Sequence, residues 1–171
     1  QPVTLSDIAL YLRGRCDLPR RGVALTFDVG DLRAIPSIAN ALERHALPAT
    51  FFVTTGETDS SASWGWSALR EYRCKFFEFG SRTVSGRPLG GRPPGEWCSE
   101  LLESRRRMEQ MLEAPCLAIA YPGEGDDHLP SLLAESGLAG YRLGVGRSSG
   151  MNPVGALEPF ALRRVTVTPG M

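Results

Sequence analysis

Polar residues follow several predicted strands of this chain, and Asp28 is the first of them. The apolar and β-branched run 23–27 leads directly to this carboxylate, and Gly30 follows shortly after it. Such a run is typical of a buried parallel strand that delivers a polar side chain to the rim of an α/β fold. A carboxylate at that rim can serve as a base, cap the following helix or pair with an arginine.

Four later residues also stand at predicted strand ends. Arg82 follows a strand predicted at 76–80, and a strand predicted at 117–121 ends in Tyr121, Pro122 and Gly123. Because the C-terminal ends of parallel barrel strands meet on one face, we expect these residues to converge with Asp28.

Strand and helix patterns alternate along the chain. The patterns predict strands at 23–28, 49–53, 76–80, 117–121, 141–144 and 162–167, and helices at 32–45, 66–72, 96–112 and 129–136. Residues 54–63, 86–95 and 147–159 are expected to be loops. In the helix predicted at 96–112, an apolar stripe is expected to be buried and four charged residues to face water: the stripe is Trp97, Leu101, Met108 and Leu112, and the charged residues are Glu100, Glu103, Arg106 and Arg107. Repeated β-α units predict a parallel sheet, and the length of 171 residues fits one domain over 1–171.

Composition excludes some classes of partner. The formal net charge is zero, so nothing indicates binding to nucleic acid or to an anionic membrane surface. No apolar run approaches the length of a membrane span. The four cysteines lack a CxxC spacing, which favours buried free thiols over a disulfide framework. The chain begins at Gln1 without a leader, so we expect a processed form or an excised domain.

Three of these segments resemble motifs of the polysaccharide deacetylase (NodB-homology) family. Residues 23–30, VALTFDVG, resemble its first motif, TFDDG, with Val29 in place of the second aspartate. Residues 77–86, FEFGSRTVSG, resemble its second motif, EIGSHTxxH, with Arg82 and Gly86 in place of the two histidines. Residues 120–123, AYPG, resemble the third. Order and spacing agree over roughly 22–143.

The resemblance implies a distorted, incomplete (β/α) barrel with its site at the strand ends. It implies that Asp28 stands at the catalytic base position, and that Arg82, Tyr121, Pro122 and Gly123 contact substrate. Family members use a divalent metal such as zinc, an arginine that orients the base, and a histidine from a late Leu-x-His motif as acid. Here Ala120 replaces that arginine, and neither His45 nor His128 lies in such a motif.

All three metal-ligand positions have therefore lost their donors, and we predict that the domain holds no metal cofactor. We predict a deacetylase-like domain that is inactive or strongly impaired and binds an N-acetylglucosamine-type polymer or another protein. Two alternatives stay open: a metal-independent hydrolase of carbon–nitrogen bonds, and an active N-deacetylase with unrecognised ligands.

Two further expectations concern the site. We predict that Arg82 takes over the electrostatic role of the missing metal and forms an ion pair with Asp28. Trp64 and Trp66 are candidates for a sugar-stacking platform, although such residues more often pack beneath a loop.

Overall fold

The computed structural model describes residues 1–60, 65–73, 77–123 and 140–167. A parallel sheet forms the centre of this described part. The strands are β1 (Leu25–Val29), β2 (Ala49–Val53), β3 (Phe77–Ser81), β4 (Ala118–Ala120), β5 (Leu143–Ser149) and β6 (Leu162–Arg164). Each strand pairs in parallel with the next, and the six-stranded sheet has the order β1-β2-β3-β4-β5-β6. The predicted incomplete (β/α) barrel is therefore confirmed.

Helices connect or flank these strands. They are α1 (Leu5–Tyr11), α2 (Ile35–Glu43), α3 (Thr55–Ser60), α4 (Trp66–Arg73) and α5 (Pro94–Leu112). Apolar side chains of α5 form the predicted stripe, and all four of its members are buried: Trp97, Leu101, Met108 and Leu112. None of the helices in the described ranges is both long and apolar enough to span a membrane.

Alternate side chains of the strands face two different layers. On the outer face Phe51, Val53 and Phe79 belong to a core shared with α2, α4 and α5. On the inner face Phe52 and Leu143 belong to a second core, shared with α1. This alternation follows from the two-residue period of a strand, and it directs every second residue toward the barrel interior.

Helix α1 closes the end of this interior at which the strands begin. Its Leu5 and Ala9 belong to the inner core. The carboxylate of Glu78, near the start of β3, accepts hydrogen bonds from the Ser6 amide at 3.3 and 3.4 Å and from the Thr50 hydroxyl at 3.1 Å. The opposite end of the barrel, where the strands finish, is left for the functional site.

Several local expectations were wrong. Residues 54–63 were expected to form a loop, but α3 occupies Thr55–Ser60. Its buried positions are threonines rather than apolar residues, so no hydrophobic period marks it. The amides of Thr55 and Gly56 instead donate to the carbonyls of Thr83 and Val84 at 3.1 and 3.0 Å, which fixes the start of the helix.

Other differences concern element ends and cysteines. Strand β5 extends to Ser149, well beyond the predicted 141–144, and α1 was not predicted. The helix predicted at 129–136 lies outside the described residues. Cys16, Cys98 and Cys116 are free thiols, but Cys16 is exposed rather than buried. Cys74 also lies outside the described part.

Candidate functional site

The carboxylate of Asp28 is bound by an arginine from the last strand of the sheet. Arg164 Nη1 and Nη2 donate to Oδ1 and Oδ2 of Asp28 at 2.6 and 3.0 Å. Arg164 Nε also donates to the carbonyl of Gly146 on β5 at 3.1 Å. The side chains of Arg164 and Asp28 are 19% and 27% exposed, so the pair is partly shielded from water. It joins the first and last strands of the curled sheet.

Sequence reasoning did not single out Arg164, although the sequence carries a signal for it. Leu162 is buried in the inner core, and residues two apart on a strand share a face. Arg164 therefore faces the same interior at the end of β6, which is where a charged side chain can meet Asp28.

The predicted ion pair between Arg82 and Asp28 is wrong. Both oxygens of the Asp28 carboxylate are engaged by Arg164. Arg82 follows β3, which is separated from β1 by β2, and neighbouring strands lie about 4.8 Å apart. The curl of the sheet instead brings β6 close to β1, so Arg164 of β6 lies within hydrogen-bond distance of the Asp28 carboxylate.

Arg82 itself directly follows β3, and its side chain forms no ion pair among the described residues. Its amide donates to the carbonyl of Val53 at 2.8 Å. Its Nε is buried and has no hydrogen-bond partner among the described residues. A Cβ atom at Gly86 would lie 2.8 Å from Thr54 Oγ1 and 3.7 Å from Arg82 Nη1. The guanidinium thus lies beside the place where the family's second histidine would project.

The loop that carries Arg82 and Gly86 has an unusual backbone. Thr83 has a φ of +63° and Gly86 a φ of +67°. A positive φ is uncommon for a β-branched residue and costs of the order of 1–3 kcal/mol. Thr83 is nevertheless fixed: its amide donates to Ser81 Oγ at 3.0 Å, and its Oγ1 accepts from the Gly86 amide at 3.1 Å.

Glu100 of α5 holds the same loop from outside. Its Oε2 accepts hydrogen bonds from the amides of Val84 and Ser85 at 2.9 and 2.8 Å, and Arg92 Nη1 lies 3.7 Å from its Oε1. Burial on its own would raise the pKa of Glu100, but the hydrogen bonds from Ser85, Thr83 and Val84 outweigh it and lower the pKa. The side chain is only 14% exposed, so the expectation that Glu100 faces water was wrong.

The third segment places its side chain away from the barrel interior. Tyr121 is 3% exposed and belongs to the outer core, and its hydroxyl donates to the carbonyl of Phe160 at 2.8 Å. Pro122 is buried and Gly123 is half-buried. A Cβ at Gly123 would lie 2.4 Å from Pro88, so the loop after β3 packs closely against this segment. That Tyr121, Pro122 and Gly123 contact substrate stays a prediction. Such a contact would involve their backbone atoms.

The residues at the three ligand positions do not fit a divalent metal. Val29 is 4% exposed and packs in the outer core, and Gly86 has no side chain. Arg82 brings a positive charge to the remaining position, which repels a cation. No group of three histidine, cysteine or carboxylate residues that could hold a metal occurs in the described ranges. That the whole chain binds no metal stays a prediction.

Structural contacts engage Asp31, Glu78 and Trp66. Asp31 accepts hydrogen bonds from the Arg33 amide and guanidinium at 3.0 Å, and Glu78 anchors α1. Trp66 is 6% exposed and packs in the outer core, while Trp64 and the acidic residues 124–127 lie outside the described part. Trp66 therefore packs beneath the surface and offers no stacking face.

A comparison of sequences connects this arrangement to a known family. The sequence model described as "Polysaccharide deacetylase" matches residues 16–143. No protein of curated function matches the chain.

Solved structures share the fold. The Streptococcus pyogenes deacetylase PplD, in complex with acetate, is 22% identical with a TM-score of 0.87 over 100% of this chain and 75% of that one. The BpsB deacetylase domain from Bordetella bronchiseptica is 20% identical with a TM-score of 0.77 over 96% and 78%. A Bacillus anthracis protein described as a CE4 family pseudoenzyme is 19% identical with a TM-score of 0.52 over 64% and 41%.

Proposed function

Since the chain belongs to the polysaccharide deacetylase family, we propose that it binds a carbohydrate polymer of the N-acetylglucosamine type and has lost most or all hydrolytic activity. One observation carries this proposal. The family's base position, Asp28, is retained and paired, whereas the positions that would hold the metal are Val29, Arg82 and Gly86.

The physical argument rests on what the metal supplies in such a reaction. A bound divalent ion polarises the scissile carbonyl and activates water, and its loss removes several kcal/mol of transition-state stabilisation. Each 1.36 kcal/mol corresponds to about tenfold in rate. Asp28 alone does not replace that contribution. The barrel rim and the loop after β3 remain, and they are the parts that would contact a glycan.

We also propose that residues 1–171 act as one domain. Two contacts support this extent. The Ser6 amide ties α1 to Glu78 of β3, and Arg164 ties β6 to Asp28 of β1. Both ends of the described chain are thereby attached to the same sheet.

One observation favours a second function, that of a residual hydrolase of carbon–nitrogen bonds. The resemblance implies an arginine beside the catalytic base, and Arg164 supplies one from β6 although Ala120 stands at the expected position. A carboxylate held in this way keeps its geometry for proton transfer. This candidate still lacks an identified acid.

Binding and hydrolysis are tested together with chitin oligomers. Titration calorimetry should show binding of the oligomers by the wild-type chain, while acetate release stays at background beside an active family member assayed in parallel. Absence of binding would contradict an uncharged N-acetylglucosamine polymer as the ligand and favour a protein partner. Acetate release that an Asp28→Asn substitution abolishes would favour the residual hydrolase.

A further inference from the structure

The guanidinium of Arg82 is a cation at the rim of the barrel that forms no ion pair with the residues that the structure describes. Its Nε is buried without a hydrogen-bond partner among the described residues. A guanidinium is weakly hydrated, and its planar fork matches the two oxygens of a carboxylate at once, so it exchanges water for a carboxylate readily.

Two carboxylates among the described residues of this end of the barrel are already engaged. Asp28 is bound at both oxygens by Arg164. Glu100 accepts two amides of the same loop and lies 3.7 Å from Arg92. Neither carboxylate can therefore turn toward Arg82 without giving up its present partners.

The position of Arg82 is also fixed before any ligand arrives. Its amide is bonded to Val53, and the loop after it is held by Thr83 Oγ1 and by the Glu100 carboxylate. Glycine at position 86 leaves room beside the guanidinium, since a side chain there would meet Thr54 and approach Nη1. A backbone that is already held in place lowers the entropic cost of binding a ligand.

We propose that Arg82 binds the carboxylate of an acidic saccharide, so that the preferred ligand of this domain carries uronic-acid units. This inference rests on the proposed glycan-binding function and specifies its ligand. A carboxylate offers two coplanar oxygens to the two Nη donors, which a neutral sugar does not. Substitution of a histidine ligand by arginine thereby changes a cation site into an anion site.

The test compares three oligosaccharides of equal length by titration calorimetry. A hyaluronan oligomer carries both N-acetyl and carboxylate groups, a chitin oligomer carries only N-acetyl groups, and an oligogalacturonate carries only carboxylates. We expect the hyaluronan oligomer to bind about tenfold or more tightly than the chitin oligomer, as charge-assisted hydrogen bonds suggest. The preference should shrink as salt is raised.

Variants assign the preference to one side chain. Arg82→Gln should remove the preference, because it lowers the affinity for the hyaluronan oligomer far more than the affinity for the chitin oligomer, and Arg82→Lys should retain part of it. Arg87→Gln is the matched control, because Arg87 is an exposed arginine in the same loop. Unfolding curves of the variants confirm that the fold persists.

The possible outcomes distinguish a failure of the carboxylate site from a failure of the proposed glycan-binding function. Equal binding of the charged and neutral oligomers, or a preference that survives Arg82→Gln, would overturn the carboxylate site and leave glycan binding intact. Failure of every oligomer to bind would overturn both proposals.

Discussion

Asp28 and Arg164 are separated by 136 residues in the sequence, and their side chains form a two-point ion pair across the ends of the sheet. The pair has a structural consequence and a chemical one. It holds the last strand against the first, and it keeps the retained carboxylate in one fixed orientation at the rim.

Replacement of Arg164 should weaken the fold. Arg164→Ala leaves a partly shielded carboxylate unpaired and removes the link between β1 and β6. We expect a loss of about 1–2 kcal/mol in the free energy of unfolding, between the values for exposed and buried pairs. Urea denaturation measures it. Arg163→Ala, at the exposed neighbouring position, should change the unfolding free energy by less than about 0.5 kcal/mol. Equal stability of the two variants would show that the pair contributes nothing.

Glu100 should make stability depend on pH. Its folded-state pKa is lowered from the ordinary value of 4.5, so the stabilisation is present above that value and is lost as pH falls through the folded pKa. At pH 7 we expect Glu100→Gln to cost about 1–2 kcal/mol. The difference from wild type should diminish on acidification below about pH 4.5. Glu103→Gln is the control, since Glu103 is exposed one turn away. A difference that stays constant down to acid pH would contradict this role.

Two glycine-to-alanine substitutions separate the effect of crowding at Gly86 from the effect of its positive φ. Gly86 and Gly91 have φ values of +67° and +78°, but only at Gly86 would a Cβ meet another atom within 4 Å. Gly91→Ala should cost about 1–2 kcal/mol for the left-handed conformation alone. Gly86→Ala should cost measurably more in the same thermal or urea unfolding experiment, because Thr54 Oγ1 must also move. Equal costs would mean that the loop adjusts freely at this point.

The cysteines should differ in reactivity. Burial raises the pKa of Cys116 to about 12, whereas Cys16 is exposed. Because the thiolate is the reactive form, iodoacetamide at about pH 8 should modify Cys16 in the native protein and leave Cys116 unmodified until the chain is unfolded. Peptide mapping by mass spectrometry distinguishes the two sites. Rapid native modification of Cys116 would place it outside the core.

Local patterns in the sequence predict much of the fold. Strands such as β2 are buried on both faces, so they stand out in the sequence as short apolar runs. Residues 49–53 were predicted as a strand and all five are buried. Helix α5 was likewise evident from its apolar period. These features depend on residues that are close together in the sequence.

The partners of charged side chains were not predictable in the same way. Arg82 was expected to pair with Asp28, but the choice between Arg82 and Arg164 depends on how far the sheet curls, which no local pattern records. Glu100 was placed on the solvent face by its helical position, but the loop after β3 folds over it. Helix α3 was missed because threonines occupy its buried face.

Acetate release from chitin oligomers in the presence and absence of added zinc tests the central claim most directly. The wild-type chain should release no more acetate than Asp28→Asn under either condition, because Val29, Arg82 and Gly86 offer no donors for the ion that would drive hydrolysis. An active family member assayed in parallel should lose its turnover when the metal is removed. Release of acetate by the wild type that rises with zinc and disappears in Asp28→Asn would contradict the account.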